Sequence, residues 1–303
     1  MNQQSLVDII AEEIASKLKE SGQAAKSTIP TAPVREVVAQ PVVREASEQK
    51  PVAHACSDTP RAGKQLPEDE RARLIERMQA TTTARVGVGK AGARMRTETV
   101  LKFRADHAVA RDSVRREVDP ALLEKMGLFS VQTLCRDVDE YLTRPDLGRR
   151  FSEEVAQQIV KSCKQNVDVE IFAAGGLSSS AVQANLENIL PAINDGLAAK
   201  GISVGTPFYV RFSRVGAMDA VSELLHAKVT CVLIGERPGL ATAESMSAYI
   251  CYEARVGMPE SRRTVVSNIH KNGIPAAEAG AYIADVIEKI LQQKASGVEL
   301  RKE

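Results

Sequence analysis

Residues 228–240, KVTCVLIGERPGL, decide the fold of this chain. After the lysine, residues 229–235 are apolar, β-branched, small or glycine, which predicts a strand buried on both faces of a sheet. The run ends abruptly in residues 236–239, ERPG, a charged turn that no core could absorb. Ligands of open α/β sheets bind at the carboxyl ends of the strands, so this turn is the first candidate for a binding site.

Two further strands are predicted upstream, at residues 207–215 (PFYVRFSRV) and residues 167–173 (VDVEIFA). The earlier one runs into the small-residue turn AGGLS, residues 174–178. Helical patterns follow at residues 181–200 and 217–226, and the first has the apolar stripe Val182, Leu186, Ile189, Leu190 and Ile193. Alternation of strand and helix predicts right-handed crossovers and a parallel sheet.

The chain divides into four predicted segments. Residues 154–303 form an α/β, Rossmann-like parallel sheet with flanking helices, closed by an amphipathic helix at residues 276–294. Residues 66–153 form a smaller, basic helical domain. Residues 21–65 are rich in Ala, Pro, Ser, Glu and Gln and predict a disordered, flexible linker. Residues 1–20 form an amphipathic helix with the apolar stripe Leu6, Ile9, Ile10, Ile14 and Leu18.

Composition narrows the classes of partner and site. The 40 basic and 39 acidic residues nearly balance, so we expect neither nucleic acid nor a membrane as a partner. No apolar run approaches the roughly 20 residues that span a bilayer. The five cysteines form no CxxC pair, which fits a reduced, cytoplasmic setting. The four histidines lack metal-ligand spacing, and we predict no metal site.

One glycine motif suggests a different function. Gly87, Gly89 and Gly92 match the GxGxxG dinucleotide fingerprint, and Asp112 follows at about 20 residues. The fingerprint requires a buried strand before it, but residues 80–86, ATTTARV, are polar and short. The alternative of a nucleotide-dependent α/β enzyme rests on this motif, whereas its context favours a tight basic loop as the reason for the glycines.

No catalytic residues are predicted. The serines at positions 178–180 follow a Gly-Gly turn, but GGLS is not the GxSxG motif of a nucleophile elbow. We expect these serines to act as helix N-caps. A chain that lacks a convergent nucleophile and base is what a cofactor-holding subunit would show if another chain carried the chemistry.

Four motifs together carry a family resemblance: GERPGL, GTPFYVRFSRV, SNIH at residues 267–270 and YLTRPDLGRR at residues 141–150. From about residue 82 to residue 296, the chain resembles the small (light-chain) subunit of adenosylcobalamin-dependent ethanolamine ammonia-lyase. The resemblance implies a subunit that clamps adenosylcobalamin against a catalytic large subunit for radical conversion of ethanolamine to acetaldehyde and ammonia. In such chemistry the protein positions the cofactor and excludes side reactions.

The resemblance also implies cofactor contacts. By motif they fall on Val215 after FSR, on Glu236 in GERPG and on Val265 in RTVVSNIH, and Arg214 and Arg237 are adjacent candidates by charge. Each of two residues also has a purely structural interpretation. Val215 would then be an ordinary sheet residue, and Glu236 would be a solvated carboxylate in a turn.

Two residues depart from the family pattern. Val265 stands where relatives carry cysteine, so only a backbone or packing contact can remain there. Gly175 stands where the family commonly has aspartate before GLS, which affects a turn, a subunit contact or the cofactor edge.

The predicted amino-terminal helix, residues 1–20, resembles the encapsulation peptides of bacterial microcompartment enzymes. It predicts a microcompartment shell as a second partner, bound by a helix in a groove. The expected location is therefore the cytoplasm, inside a bacterial microcompartment. A non-catalytic microcompartment adaptor that binds no cofactor is the remaining alternative.

Overall fold

The computed structural model describes residues 67–301, so the predictions for residues 1–20 and 21–65 lie outside the described residues. The strands are β1 (Lys90–Ala91), β2 (Arg94–Met95), β3 (Phe129–Gln132), β4 (Val169–Ala174), β5 (Phe208–Arg211), β6 (Val229–Gly235), β7 (Met246–Tyr252) and β8 (Thr264–Ile269). The α-helices are α1 (Glu68–Thr81), α2 (Thr97–Arg115), α3 (Pro120–Lys125), α4 (Val138–Thr143), α5 (Glu153–Ser162), α6 (Ser179–Ala199), α7 (Ala217–Leu225) and α8 (Ala276–Gln293).

A six-stranded sheet in the order β3-β5-β4-β6-β7-β8 forms the centre of the molecule. β3, β5, β4 and β6 run parallel, which confirms the parallel arrangement of the three predicted strands. β7 and β8 are antiparallel to their neighbours, so the prediction of a fully parallel sheet is wrong at this edge. The mixed α/β class is confirmed, while the finer Rossmann-like assignment is not confirmed by this strand order.

The predicted strands appear close to their expected positions. β6 spans the predicted residues 229–235, and all of its residues are buried. β5 ends at Arg211, earlier than predicted, because Phe212 adopts a left-handed φ of +54° that strand geometry cannot continue. This bend separates the strand from the Ser213-Arg214-Val215 segment that follows it.

Helices cover both faces of the sheet. Alternate β4 residues point to opposite sides, so Ile171 packs in the cluster with α6 and α8, and Phe172 packs in the cluster with α5 and α7. The predicted stripe of α6 is buried throughout. In α8, Ile283 and Ile290 are fully buried, which is the helix face that the sequence predicts. Burial of both faces explains why the central strands are mostly apolar.

Three strands of this sheet were not predicted. β3 lies within residues 66–153, the segment predicted as helical, and pairs in parallel with β5. β7 is mostly buried and pairs with β6 along its whole length, from Met246 opposite Gly235 to Tyr252 opposite Val229. β8 is an edge strand in which only Val266 and Ile269 are buried. Its weak alternation gives little sequence signal.

The amino-terminal part of the described chain is more exposed. α1 contains no buried residue, and a short hairpin of β1 and β2 connects it to α2. α2 is a helix of 19 residues, but it buries only Ala110 and Ser113. Nowhere in residues 67–301 is a helix both long enough and apolar enough to span a bilayer.

Candidate functional site

A cleft of about 150 Å³ lies at the carboxyl edge of the sheet. It is built where β4, β5 and β6 end, which is where the sequence predicts a ligand site. Its lining residues are Tyr141, Gly176, Leu177, Arg214, Val215, Ile234, Gly235, Glu236, Arg237 and Tyr249. Segments that are far apart in the chain therefore meet at one rim.

Close backbone packing shapes the floor of the cleft. The Leu177 amide donates to the Gly235 carbonyl at 3.2 Å, so the turn after β4 is bonded to the end of β6. Gly176 has a left-handed φ of +59°, and a Cβ there would overlap the Gly235 carbonyl. A Cβ on Gly235 would in turn overlap the Ser178 carbonyl. Glycine is required at both positions because the two backbones touch.

Tyr141 holds Arg214 at the cleft. The Arg214 Nη2 group donates to the Tyr141 carbonyl at 2.7 Å, and the guanidinium lies 4.2 Å from the centroid of the tyrosine ring. The Tyr141 hydroxyl donates to the Ser213 carbonyl at 3.2 Å, and burial raises the pKa of this phenol to about 12. The Tyr141 ring therefore stays neutral, and its face attracts the Arg214 cation. This contact and the hydrogen bond hold the guanidinium in one position.

The backbone of Arg214 is held by the same segment. Its amide donates to the Gly148 carbonyl at 2.8 Å, and a Cβ on Gly148 would lie 2.8 Å from the Arg214 Cγ. Gly148 belongs to the YLTRPDLGRR motif, and Arg214 belongs to the FSRV motif. The structure therefore joins two of the motifs that carry the family resemblance.

The Glu236 carboxylate is anchored by three donors. The Ser245 hydroxyl donates to Oε2 at 2.8 Å, the Ser247 hydroxyl donates to Oε1 at 2.5 Å, and the Asn268 amide donates to Oε1 at 3.1 Å. These donors come from β7, the loop before it and β8. A carboxylate offers about four acceptor directions, so three donors orient it and leave one for a ligand.

Four of the five sequence-predicted contact residues lie together in this cleft. Arg214, Val215 and Glu236 are partly buried in its wall, and Arg237 is exposed at its mouth. Val265 does not line the cleft. It lies on β8 opposite Tyr249, which does line it, and Val265 is 45% exposed. Val265 is therefore one strand away from the residues that the cleft brings together.

Sequence reasoning missed the residues that support Glu236. Ser245 lies just before β7 and Ser247 lies within it, two residues apart, and this spacing places both side chains on one side of the extended backbone. That spacing was the available signal, but it has meaning only once β7 is known to pair with β6. The YLTRPDLGRR motif predicts no role for Tyr141, which in the structure holds the Arg214 guanidinium.

The serines do not have the predicted capping role. Ser178 is at the N-cap position of α6, but its hydroxyl donates to the Ala243 carbonyl at 2.5 Å and makes no capping bond. The N-cap expectation is therefore wrong for the bond that Ser178 makes. Its hydroxyl instead fastens the loop after Gly239 to the start of α6.

The glycine motif lacks the context of a dinucleotide site. Gly87, Gly89 and Gly92 all have left-handed φ angles, and the segment forms the β1–β2 hairpin. Residues 82–85, which precede it, are exposed and form no strand. The tight basic loop is the interpretation that the structure supports.

Metal and thiol chemistry find no support in the described part of the chain. Among residues 67–301, no three His, Cys, Asp or Glu side chains are placed to hold a metal ion. The cysteines of this part are free and buried, and burial raises the pKa of the Cys231 thiol to about 12. Such a thiol is a core side chain rather than a nucleophile.

Residues 72–301, which include every segment of the cleft, match the family model of the ethanolamine ammonia-lyase light chain (EutC). The chain belongs to this family. The light-chain resemblance predicted from the four motifs is thereby confirmed, as is the prediction of a lyase subunit.

Individual light-chain relatives are also similar. A protein of Clostridium tetani named ethanolamine ammonia-lyase small subunit is 60% identical over 232 residues, which are 77% of this chain and 79% of that protein. The small subunit of Fusobacterium nucleatum is 57% identical over 73% of this chain and 75% of its own length. The small subunit of Listeria innocua is 44% identical over 99% of this chain and all of its own length.

Proposed function

We propose that this chain is the small subunit of an ethanolamine ammonia-lyase and that its carboxyl-edge cleft holds one side of adenosylcobalamin against a large subunit. The observation that supports this most directly is the clustering of Arg214, Val215, Glu236 and Arg237 around one cleft. The family motifs imply Val215 and Glu236 as cofactor contacts, and Arg214 and Arg237 are their charged neighbours. The four residues come from two separate segments. The names of the relatives support a small-subunit role.

The size of the cleft fits a shared cofactor. At about 150 Å³ it is smaller than the roughly 300–1,000 Å³ of pockets that enclose drug-sized ligands. A corrin is larger than such ligands, so this cleft could cover only one edge of it. A second surface must then cover the remainder, which is what a large-subunit partner would provide.

The chemistry of the lining also fits. The peripheral amides of a corrin donate and accept hydrogen bonds, and the cleft offers the Glu236 carboxylate as an acceptor and the Arg214 and Arg237 guanidinium groups as donors. Val215, Leu177 and Ile234 add apolar contact between them. Adenosylcobalamin supplies radical chemistry when bound. The residues of this chain orient it and exclude water, and they carry no catalytic step.

The experiment measures adenosylcobalamin affinity of the two-subunit enzyme by equilibrium dialysis. We expect Glu236→Ala to weaken binding by about 1–3 kcal/mol, because it removes an oriented acceptor in a desolvated interface. Arg255→Ala, which changes an exposed arginine outside the cleft, is the matched control and should leave the affinity unchanged. Unchanged affinity in both variants, or full turnover by the large subunit alone, would refute the proposal.

We propose further that residues 1–20, which lie outside the described residues, direct the enzyme to a microcompartment shell. The apolar stripe Leu6, Ile9, Ile10, Ile14 and Leu18 supports this, because a short amphipathic helix is marginal in water without a partner. A fluorescent protein fused to residues 1–20 should form puncta in shell-forming cells. Diffuse fluorescence in cells that contain shells would contradict targeting, and loss of lyase activity on deletion would contradict dispensability.

A further inference from the structure

The end of β8 and the turn after it contact Glu236. Residues 267–273, SNIHKNG, make up this segment, which we call the SNIH turn, and the Asn268 backbone amide donates to Glu236 Oε1 at 3.1 Å. Asn268 has a left-handed φ of +63°, a conformation that few non-glycine residues adopt. Such a conformation persists only where neighbouring groups hold it.

His270 is the side chain that holds Asn268. The imidazole is only 8% exposed, and its Nε2 lies 2.8 Å from Asn268 Oδ1. The Asn272 amide donates to Nδ1 at 3.3 Å. Because an amide N–H can only donate, Nδ1 is the acceptor, and the neutral ring carries its proton on Nε2. The imidazole therefore donates to Asn268 and fixes the orientation of that residue.

The backbone closes tightly around the same residue. The Ile274 amide donates to the Asn268 carbonyl at 2.9 Å, and the Gly273 amide donates to the His270 carbonyl at 2.9 Å. A Cβ on Gly273 would lie 2.8 Å from Asn268 Nδ2. These contacts leave Asn268 little freedom. The direction of its backbone N–H therefore depends on the imidazole of His270 and on a glycine at position 273.

We propose that His270 is a positioning residue for the Glu236 carboxylate. His270 holds the side chain of Asn268 and thereby sets the direction of the Asn268 backbone N–H, which donates to Glu236 Oε1. The direction of that N–H decides which acceptor direction of the carboxylate faces the cleft. His270 itself does not line the cleft. This inference rests on the proposed function, because it gives the SNIH turn a role in cofactor binding through Glu236.

The test is a double-mutant cycle on the assembled two-subunit enzyme, with the Kd for adenosylcobalamin and the melting temperature as readouts. His270→Leu keeps the volume of the side chain and removes both of its hydrogen bonds. We expect it to raise Kd about tenfold, the equivalent of one ordinary hydrogen bond. His270→Gln retains a donor and an acceptor and should restore Kd to within about threefold. Ser267→Ala, an exposed change in the same turn, is the control and should leave Kd unchanged.

The decisive comparison is made without the carboxylate. In a Glu236→Ala background, His270→Leu should change Kd by less than about twofold, because a residue that acts through Glu236 has nothing left to position. The same loss of melting temperature is expected in both backgrounds. A tenfold rise of Kd in both backgrounds would overturn the inference, and so would an unchanged Kd in the single His270→Leu variant.

Two arms keep the result interpretable. If His270→Leu fails to assemble, Asn268→Gly replaces it, because glycine keeps the left-handed backbone and removes only the side chain that His270 holds. That variant should weaken binding several-fold, and an unchanged Kd would overturn the inference. If Glu236→Ala and Arg214→Ala both leave Kd unchanged, the proposed function fails together with the inference. If those two weaken binding and His270→Leu does not, only the inference fails.

Discussion

Two glutamates on neighbouring strands of the sheet are treated in opposite ways. Glu236, at the carboxyl end of β6, is partly buried and receives three hydrogen bonds. Glu170, near the amino end of β4, is 0% exposed, and neither of its carboxyl oxygens has a hydrogen-bond partner within the described part of the chain. The first is a charged group held in place for contact. The second is an acid sealed inside the sheet.

The surroundings explain the difference. Glu170 is in register with Thr230 on β6, whose hydroxyl is also buried without a described partner. Burial raises the pKa of Glu170 to about 8, and the nearby Ile171 and Thr206 amides offset only part of that effect. At neutral pH the folded protein therefore holds Glu170 in its protonated form. The comparison teaches that the carboxyl edge supplies polar partners, whereas the amino end of the same sheet neutralises a carboxyl by burial.

The largest expected effect concerns Glu170. Its carboxyl keeps a proton in the folded state up to about pH 8 and loses it near pH 4.5 when unfolded, so unfolding releases a proton between these values. The free energy of unfolding should therefore fall as pH rises through this window. Glu170→Gln removes the effect. Relative to the parent chain, the variant should gain roughly 3 kcal/mol of stability between pH 4.5 and pH 7.

Urea unfolding at a series of pH values checks this. Glu236→Gln is the control. It makes the same substitution at the carboxyl edge, where the carboxylate already accepts hydrogen bonds. Parallel pH curves for Glu170→Gln and the parent chain would show that Glu170 is ionised in the folded state, and the contrast between the two ends would then be lost.

The second prediction tests the packing around Glu170. A Cβ on Gly205 would overlap the Glu170 carboxyl, which cannot move away into solvent. Gly205→Ala should therefore destabilise the protein by about 2 kcal/mol. Gly239→Ala is the matched control at the carboxyl edge, since its Cβ would meet only the Thr242 carbonyl at 3.7 Å. Chemical denaturation of both variants gives the comparison, and equal stabilities would contradict it.

These contacts also show what the sequence could predict. Residues 229–236 were predictable because the buried run and its charged turn are adjacent in the chain. The donors to Glu236 were not, since Ser247 and Asn268 reach it through antiparallel pairings that no local pattern reveals. The bend at Phe212 was hidden for a different reason, because a left-handed aromatic residue carries no composition signal. Local patterns thus predict where the strands end. The residues that donate to Glu236 depend on tertiary pairing, which those patterns do not contain.

The third prediction concerns the stability that Glu236 provides. Ser247 is only 2% exposed and would lose its acceptor if Glu236 were truncated. Glu236→Ala should therefore lower the free energy of unfolding by about 1–2 kcal/mol. Arg237→Ala, at the exposed neighbouring position, should change it by less than about 0.5 kcal/mol. Differential scanning calorimetry separates the two, and equal melting temperatures would show that Glu236 is free of its serine donors.

The smallest expected effect is at Val265, the predicted contact that the cleft does not include. Val265 is nearly half exposed on the edge strand β8, so Val265→Cys should change the free energy of unfolding by less than about 0.5 kcal/mol. Val266→Cys is the matched control, because the adjacent side chain is buried and its shortening should cost about 1 kcal/mol. If position 265 meets the cofactor only by backbone or packing, the cysteine should leave adenosylcobalamin Kd of the two-subunit enzyme within about twofold. A tenfold lower Kd would instead show that a thiol at position 265 contacts the cofactor. The cofactor surface would then extend from Glu236 to the β8 position that the cleft does not include.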